Sequence, residues 1–228
     1  MPGSAGSWQA YGSRQHSMGL HIIRPNERVI MIPGIGITVR NALASGGGPL
    51  IWDTNTDANG TAMTAHTPDI NTPGNAYLAR ASYQIQGNRV QDVAGGATEC
   101  IINTGITDYT VTGKVILEAA TSGEPRGLIV RGDGFPSVGY NKVRVGLVWS
   151  GNQFYIKEYN TVVASTAFTV TPGVQYTIKA ICSGTSIIAT VNGGNQISYN
   201  TAPITGRTYV GWANRYAGDL FDDLLVEV

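Results

Sequence analysis

Apolar and polar residues alternate with period two through most of this chain. In residues 109–119, Val111, Val115 and Leu117 alternate with Thr110, Thr112, Lys114 and Glu118. In residues 141–149, Val143, Val145, Leu147 and Trp149 alternate with Lys142 and Arg144. Successive side chains of a strand point to opposite faces, so each segment predicts a strand with one face in a core. The second turns at Ser150-Gly151-Asn152 into Phe154 and Ile156, which predicts an adjacent strand. Residues 82–85 and 89–93, joined by Gly87-Asn88, read as a hairpin, and residues 175–182 read as a strand after Pro172-Gly173. Residues 187–191 turn through Asn192-Gly193-Gly194-Asn195 into 196–199, the clearest hairpin signal of all, because Asn and Gly tolerate positive φ.

The chain ends on a further strand signal, with Leu224, Val226 and Val228 alternating with Leu225 and Glu227. Its expected neighbour is the segment 50–69, where Leu50, Ile51 and Trp52 run into a polar stretch containing Asn59-Gly60. Pairing the two would join the ends of one domain and remove two sheet edges. From Leu50 onward strand signals recur about every ten residues, the spacing of a sandwich or barrel. Three consecutive glycines at 46–48 mark a linker. The expected division is an arm with a short β element over residues 1–48 and a sandwich over 49–228. Residues 1–19 are rich in Gly, Ser and Gln without periodicity. Ile22, Ile23, Val29, Ile30 and Ile32 supply the apolar surface by which residues 1–48 would attach to a partner, as an added strand or in a groove.

Composition agrees with many short strands and tight turns: of 228 residues 30 are Gly and 10 Pro, and only 13% are charged. Lys+Arg 15 balances Asp+Glu 15 with no basic run, which argues against a nucleic-acid partner and against an anionic membrane surface. The first residues lack the continuous apolar core of a secretory signal, so the expectation is synthesis in a host cytoplasm without secretion. Cys100 and Cys182 leave two readings, a single bridge or two buried thiols, and Cys182 shares strand parity with Tyr176, Ile178 and Ala180.

The order of certain segments is familiar: Gly127-Leu128-Ile129-Val130-Arg131, residues 143–149, residues 154–158, Pro172-Gly173-Val174-Gln175-Tyr176-Thr177-Ile178, Ala189-Thr190-Val191-Asn192-Gly193, Val210-Gly211 and Phe221-Asp222-Asp223. This series resembles the concanavalin A-like lectin/glucanase jelly rolls, including laminin-G-like domains. Residues 53–69 are similar to the first-strand segment of such domains in bacteriophage structural proteins and bacterial surface proteins. The resemblance implies an all-β, antiparallel two-sheet jelly-roll sandwich over about residues 50–228, preceded by an N-terminal extended arm.

Candidate chemistry is sparse. The resemblance implies, for a glucanase, carboxylates on one strand as Glu-x-Asp-x-x-Glu, and no such run occurs. Asp222 and Asp223 are adjacent, which in a regular strand sends them to opposite faces. His16, His21 and His66 read as isolated surface residues, and there is no Gly-x-Ser-x-Gly elbow or His-Glu-x-x-His. The expectation is therefore a chain that is not an enzyme. Asp53, Asn55 and Asp57 alternate ahead of Asn59-Gly60, a spacing of hard oxygen ligands that suits Ca²⁺, although polar residues entering a turn give the same letters. No other cofactor is implied. Tyr155, Tyr159, Trp212 and Tyr216 are candidates for stacking on sugar rings, with core packing as the alternative.

Two function classes follow. The first is a non-enzymatic structural protein of a virion, a bacteriophage capsid decoration or fibre-type component that displays the sandwich. Its partners would be the major capsid protein or other virion proteins, or a second copy as a homo-oligomer, together with a host-surface glycan. The second is a carbohydrate-binding module or glycan-processing enzyme. The missing catalytic motif, the missing signal and the balanced charge favour the first.

Overall fold

The computed structural model describes residues 27–28, 41–42 and 48–228, except 81, 97, 119–123, 125, 135–141 and 202–206. The chain divides into two units, Met1–Leu43 and Ala44–Val228. In the first, Glu27–Arg28 (β1) pairs antiparallel with Asn41–Ala42 (β2). Ile22, Ile23, Val29, Ile30 and Ile32 lie outside the described residues.

The second unit is an antiparallel two-sheet sandwich, and among the described residues there is no helix. Its strands in chain order are Ile51–Asp53 (β3), Ile70–Asn71 (β4), Leu78–Ala79 (β5), Tyr83–Ile85 (β6), Val90–Asp92 (β7), Thr98–Asn103 (β8), Tyr109–Ile116 (β9), Arg126–Gly132 (β10), Val143–Val148 (β11), Gln153–Glu158 (β12), Thr161–Ala167 (β13), Gln175–Ser183 (β14), Ser186–Val191 (β15), Gly194–Asn200 (β16), Tyr209–Asn214 (β17) and Leu220–Glu227 (β18). One sheet runs β13-β12-β11-β10-β17-β8-β5. The other runs β16-β15-β14-β9-β18-β3-β4, with the β6–β7 hairpin attached through β7 to β18.

The C-terminal strand is central to its sheet, between β9 and β3, with Leu224 opposite Asp53, Leu225 opposite Trp52 and Val226 opposite Ile51. The two ends of the sandwich are thus hydrogen-bonded to each other, as the alternation at 224–228 and the run at 50–52 predict. The hairpin at 191–194 closes through Asn192 and Gly193, whose φ values of 49° and 71° are both positive, as a tight two-residue turn matching the strand twist requires.

Between the sheets, Leu128, Val130, Val145, Leu147, Phe154, Ile156 and Trp212 from one layer meet Val111, Val115, Ile178, Ala180, Phe221, Leu224 and Val226 from the other, all buried. Cys100 and Cys182 are free thiols in opposite layers of this core. Alternation identifies these residues but not the covering of the opposite face. Strands β10 and β11 are buried along their whole length, and the polar partners Lys142 and Arg144 are buried as well. On that outward face, Ile101, Ile129 and Ala213 form a second small cluster with Tyr209, and the charged side chains engage one another in ion pairs.

Candidate functional site

Strand β18 breaks its alternation once. Phe221 and Leu224 both face the core, and the two residues between them are accommodated by a register shift with Asp223 at φ 50°. This bulge turns both carboxylates away from the core, correcting the expectation that adjacent aspartates point to opposite faces. Asp223 is ion-paired with Lys114 of β9, and Asp222 lies 3.8 Å from Arg89. The hydrogen bond to Asp223 holds the Lys114 ammonium above its usual pKa, whereas burial and the neighbouring Asp223 charge push the Asp222 carboxyl up.

Next to this pair the outward face of the sheet forms an open groove of about 260 Å³ lined by Trp52, Thr112, Lys114, Thr177, Asp223 and Leu225. Register places them together: Leu225 lies opposite Trp52 on one side and Thr112 on the other, and Thr177 lies opposite Lys114. Ile51 and Asp53 point inward and are fully buried, so Trp52 is thrown outward, and it remains 43% exposed. The groove offers an aromatic face, two hydroxyls, an ammonium donor and a carboxylate acceptor. None of these residues stands out in the sequence as a site, since Trp52 reads there as the end of an apolar run.

The segment expected as a calcium loop holds a hydrogen-bonded network around His66. Asp53 accepts from His66 Nε2 at 2.8 Å and from the Asn55 amide at 2.8 Å through one oxygen, and from the Tyr77 hydroxyl at 2.6 Å through the other. His66 Nδ1 lies 2.6 Å from Asp57 Oδ2. Both Asp53 oxygens are therefore engaged, and the cation balancing Asp53 and Asp57 is an imidazolium. The Asp53, Asn55 and Asp57 set expected for Ca²⁺ is thus tied to His66 and Tyr77, and among the described residues no group of three or more His, Cys, Asp or Glu side chains is disposed to hold a metal ion. His66, read from sequence as a surface residue, is 6% exposed. Asn55 is buried at φ 54°, a left-handed conformation that Asn tolerates better than most residues.

Burial acts to lower the His66 pKa, but hydrogen bonds and charge from Asp53 and Asp57 outweigh it and raise the value from 6.5 to about 9. A group whose pKa is raised on folding contributes stability that is complete below its unfolded value and is lost as pH rises through the folded one. Unfolding free energy should therefore fall by about 2 kcal/mol between pH 6.5 and 10, less than the full linkage value because the Asp57 side chain is 45% exposed. Urea titrations across that range check this. His66→Gln should remove the dependence, and an unchanged pH slope in that variant would show that another group causes it.

The four aromatic candidates do not form one site. Trp212 is 1% exposed in the core, and Tyr155 is 2% exposed on the outward face of the seven-stranded sheet, so neither presents a ring to solvent. Both assignments to sugar stacking are corrected: strand parity sends Trp212 into the core, and Tyr155 is buried beside the charges of Glu124, Arg144 and Arg126. Tyr159 is exposed, but Arg207 stacks over its ring at 5.4 Å and donates to its hydroxyl at 2.6 Å. Tyr216 lies against Arg126, 5.5 Å from ring centroid to guanidinium carbon.

No family model matches the chain, and no curated protein matches it. Solved structures do. The carbohydrate binding module CBM66 from Bacillus subtilis is 14% identical with a TM-score of 0.52, covering 67% of this chain and 95% of that one. A Bacillus subtilis protein of unknown function with a galectin-like fold is 10% identical at a TM-score of 0.53, covering 79% and 96%. Trypanosoma rangeli sialidase in complex with sialic acid is 11% identical at a TM-score of 0.56, covering 87% of this chain but 33% of the enzyme. At such identities the likeness is one of fold, and the fold is the concanavalin A-like jelly-roll sandwich.

These matches correct the expectation that the chain is not an enzyme. The same sandwich occurs within an enzyme as well as in a carbohydrate binding module. A search for carboxylates along one strand also misses any that the sheet assembles from different strands. None of the three structures is named as a virion component.

Proposed function

We propose that this sandwich recognises a carbohydrate through the Trp52 groove. The carrying observation is Trp52 itself, a tryptophan 43% exposed on a sheet face beside an ion-paired lysine and aspartate. An indole face supplies apolar area to the C–H face of a pyranose or furanose ring, while Lys114, Asp223, Thr112 and Thr177 offer donors and acceptors to its hydroxyls. Lys114 and Asp223 cancel in charge, which suits a neutral sugar. The match to a carbohydrate binding module, over 67% of this chain and 95% of the module, supports this reading over display on a virion. A virion role, with residues 1–48 docking on a capsid protein or a second copy, rests on the sequence alone: the resemblance of residues 53–69, the balanced charge, and the catalytic motif and signal that the sequence lacks.

The test is a glycan array probed with the full chain and with Trp52→Ala. Wild type should retain a defined set of neutral oligosaccharides, and the variant should bind them about tenfold to a hundredfold more weakly while melting at the same temperature. Equal binding by the two proteins would remove the groove from the account.

A further inference from the structure

The outward face of the other sheet carries a second cluster in which three cations converge on one carboxylate. Arg144 Nη1 donates to Glu124 Oε2 at 3.2 Å, and Lys157 donates to both Glu124 oxygens at 2.7 Å. Arg215 Nη1 stands 4.0 Å from Glu124 Oε1. Arg144 and Lys157 are opposite each other on β11 and β12, so they share this face, and the Tyr159 carbonyl accepts from Arg144 Nη2 at 3.1 Å and fixes its guanidinium. Nearby, Lys142 and Glu99 neutralise each other.

Three positive charges thus face the single carboxylate of Glu124, and the next anion within the field of Arg144 is Glu99, which Lys142 already pairs. Buried cations without counter-charge are costly, and here the Arg144 and Lys157 side chains are each only 7% exposed. The site is nevertheless open on one side, where Glu124 is 23% and Arg215 41% exposed. Glu124 also shows what shape the cradle accepts: a planar carboxylate held through both oxygens.

From this geometry we propose that Arg144, Lys157 and Arg215 form a binding site for the carboxylate of an acidic sugar. Glu124 occupies the site as an internal stand-in until a ligand displaces it. The incoming carboxylate takes the bonds from Lys157 and Arg144, and Arg215 closes on it from the solvent side. The proposal is independent of the Trp52 groove, which lies on the other sheet.

The experiment is calorimetric titration of the full chain with glucuronate and with glucose, at low and high salt. Wild type should bind glucuronate in preference to glucose, and more weakly in high salt. Glu124→Gln, which removes the internal competitor while keeping its shape, should bind glucuronate at least tenfold more tightly. Arg215→Gln, a change at an exposed position, should bind several-fold more weakly. Glucuronate binding that Glu124→Gln fails to tighten, or that Arg215→Gln leaves unchanged, would overturn the proposal, as would its absence from wild type and Glu124→Gln alike. If Glu124→Gln does not fold, the Arg215→Gln comparison decides alone.

Discussion

Trp212→Ala is expected to destabilise the sandwich by about 3–5 kcal/mol, the range for removing a fully buried large aromatic. The indole is 1% exposed, lies 5.2 Å from the Phe221 ring, and covers Gly113 of the facing sheet. Gly113 is a made-to-measure gap: a Cβ there would stand 2.2 Å from Trp212 Cη2 and 2.6 Å from Cζ3. Gly113→Ala should therefore cost about 1–3 kcal/mol by overpacking. The two effects share one contact, so they will not add, and in the Trp212→Ala background Gly113→Ala should cost little. Denaturant melts of the four proteins measure the coupling. Simple additivity would show that the ring and the glycine do not constrain each other.

The second large effect concerns Asp219, the residue immediately before β18. Its carboxylate accepts from Arg126 Nη1 at 3.1 and 3.3 Å and from the Glu118 amide at 3.0 Å, and both charged side chains are fully buried. Asp219→Ala removes the carboxylate that pairs with the buried Arg126 guanidinium and accepts from the Glu118 amide, at a cost of about 3–5 kcal/mol. Replacing both partners by apolar residues of similar size, Arg126→Met with Asp219→Leu, should recover most of the loss, since a buried ion pair is worth little more than good apolar packing. A double variant as unstable as Asp219→Ala would mean that the pair contributes net stability of its own.

Most of the fold is legible in the sequence because one face of each strand must be apolar. Leu224 and Val226, Val143 to Leu147, and the turn at Asn192-Gly193 announce themselves by period and by backbone tolerance. The candidate site is much less legible, for physical reasons that differ residue by residue. Trp52 is apolar on an apolar run, and only the inward orientation of Ile51 and Asp53 reveals that it faces water. His66 meets Asp53 from thirteen positions further along the chain, so the spacing of Asp53, Asn55 and Asp57 reads as a metal loop and gives no sign of the imidazole between two of them. Asp222 and Asp223 obey strand parity on paper, and the bulge that breaks it depends on pairing with β9. Trp212 and Tyr155 show the converse: aromatic residues look equally available in a sequence, whereas burial sorts them.

The central claim is that the outward face around Trp52 is a sugar site, and nuclear magnetic resonance mapping tests it most directly. The full chain, labelled with nitrogen-15, is titrated with the neutral oligosaccharide that binds most strongly on the array. The account predicts saturable shifts of the Trp52 indole and of the amides of Thr112, Lys114, Thr177, Asp223 and Leu225, with the buried Trp212 indole unmoved. Saturable shifts gathered elsewhere on the sandwich while these six positions stay silent would contradict it.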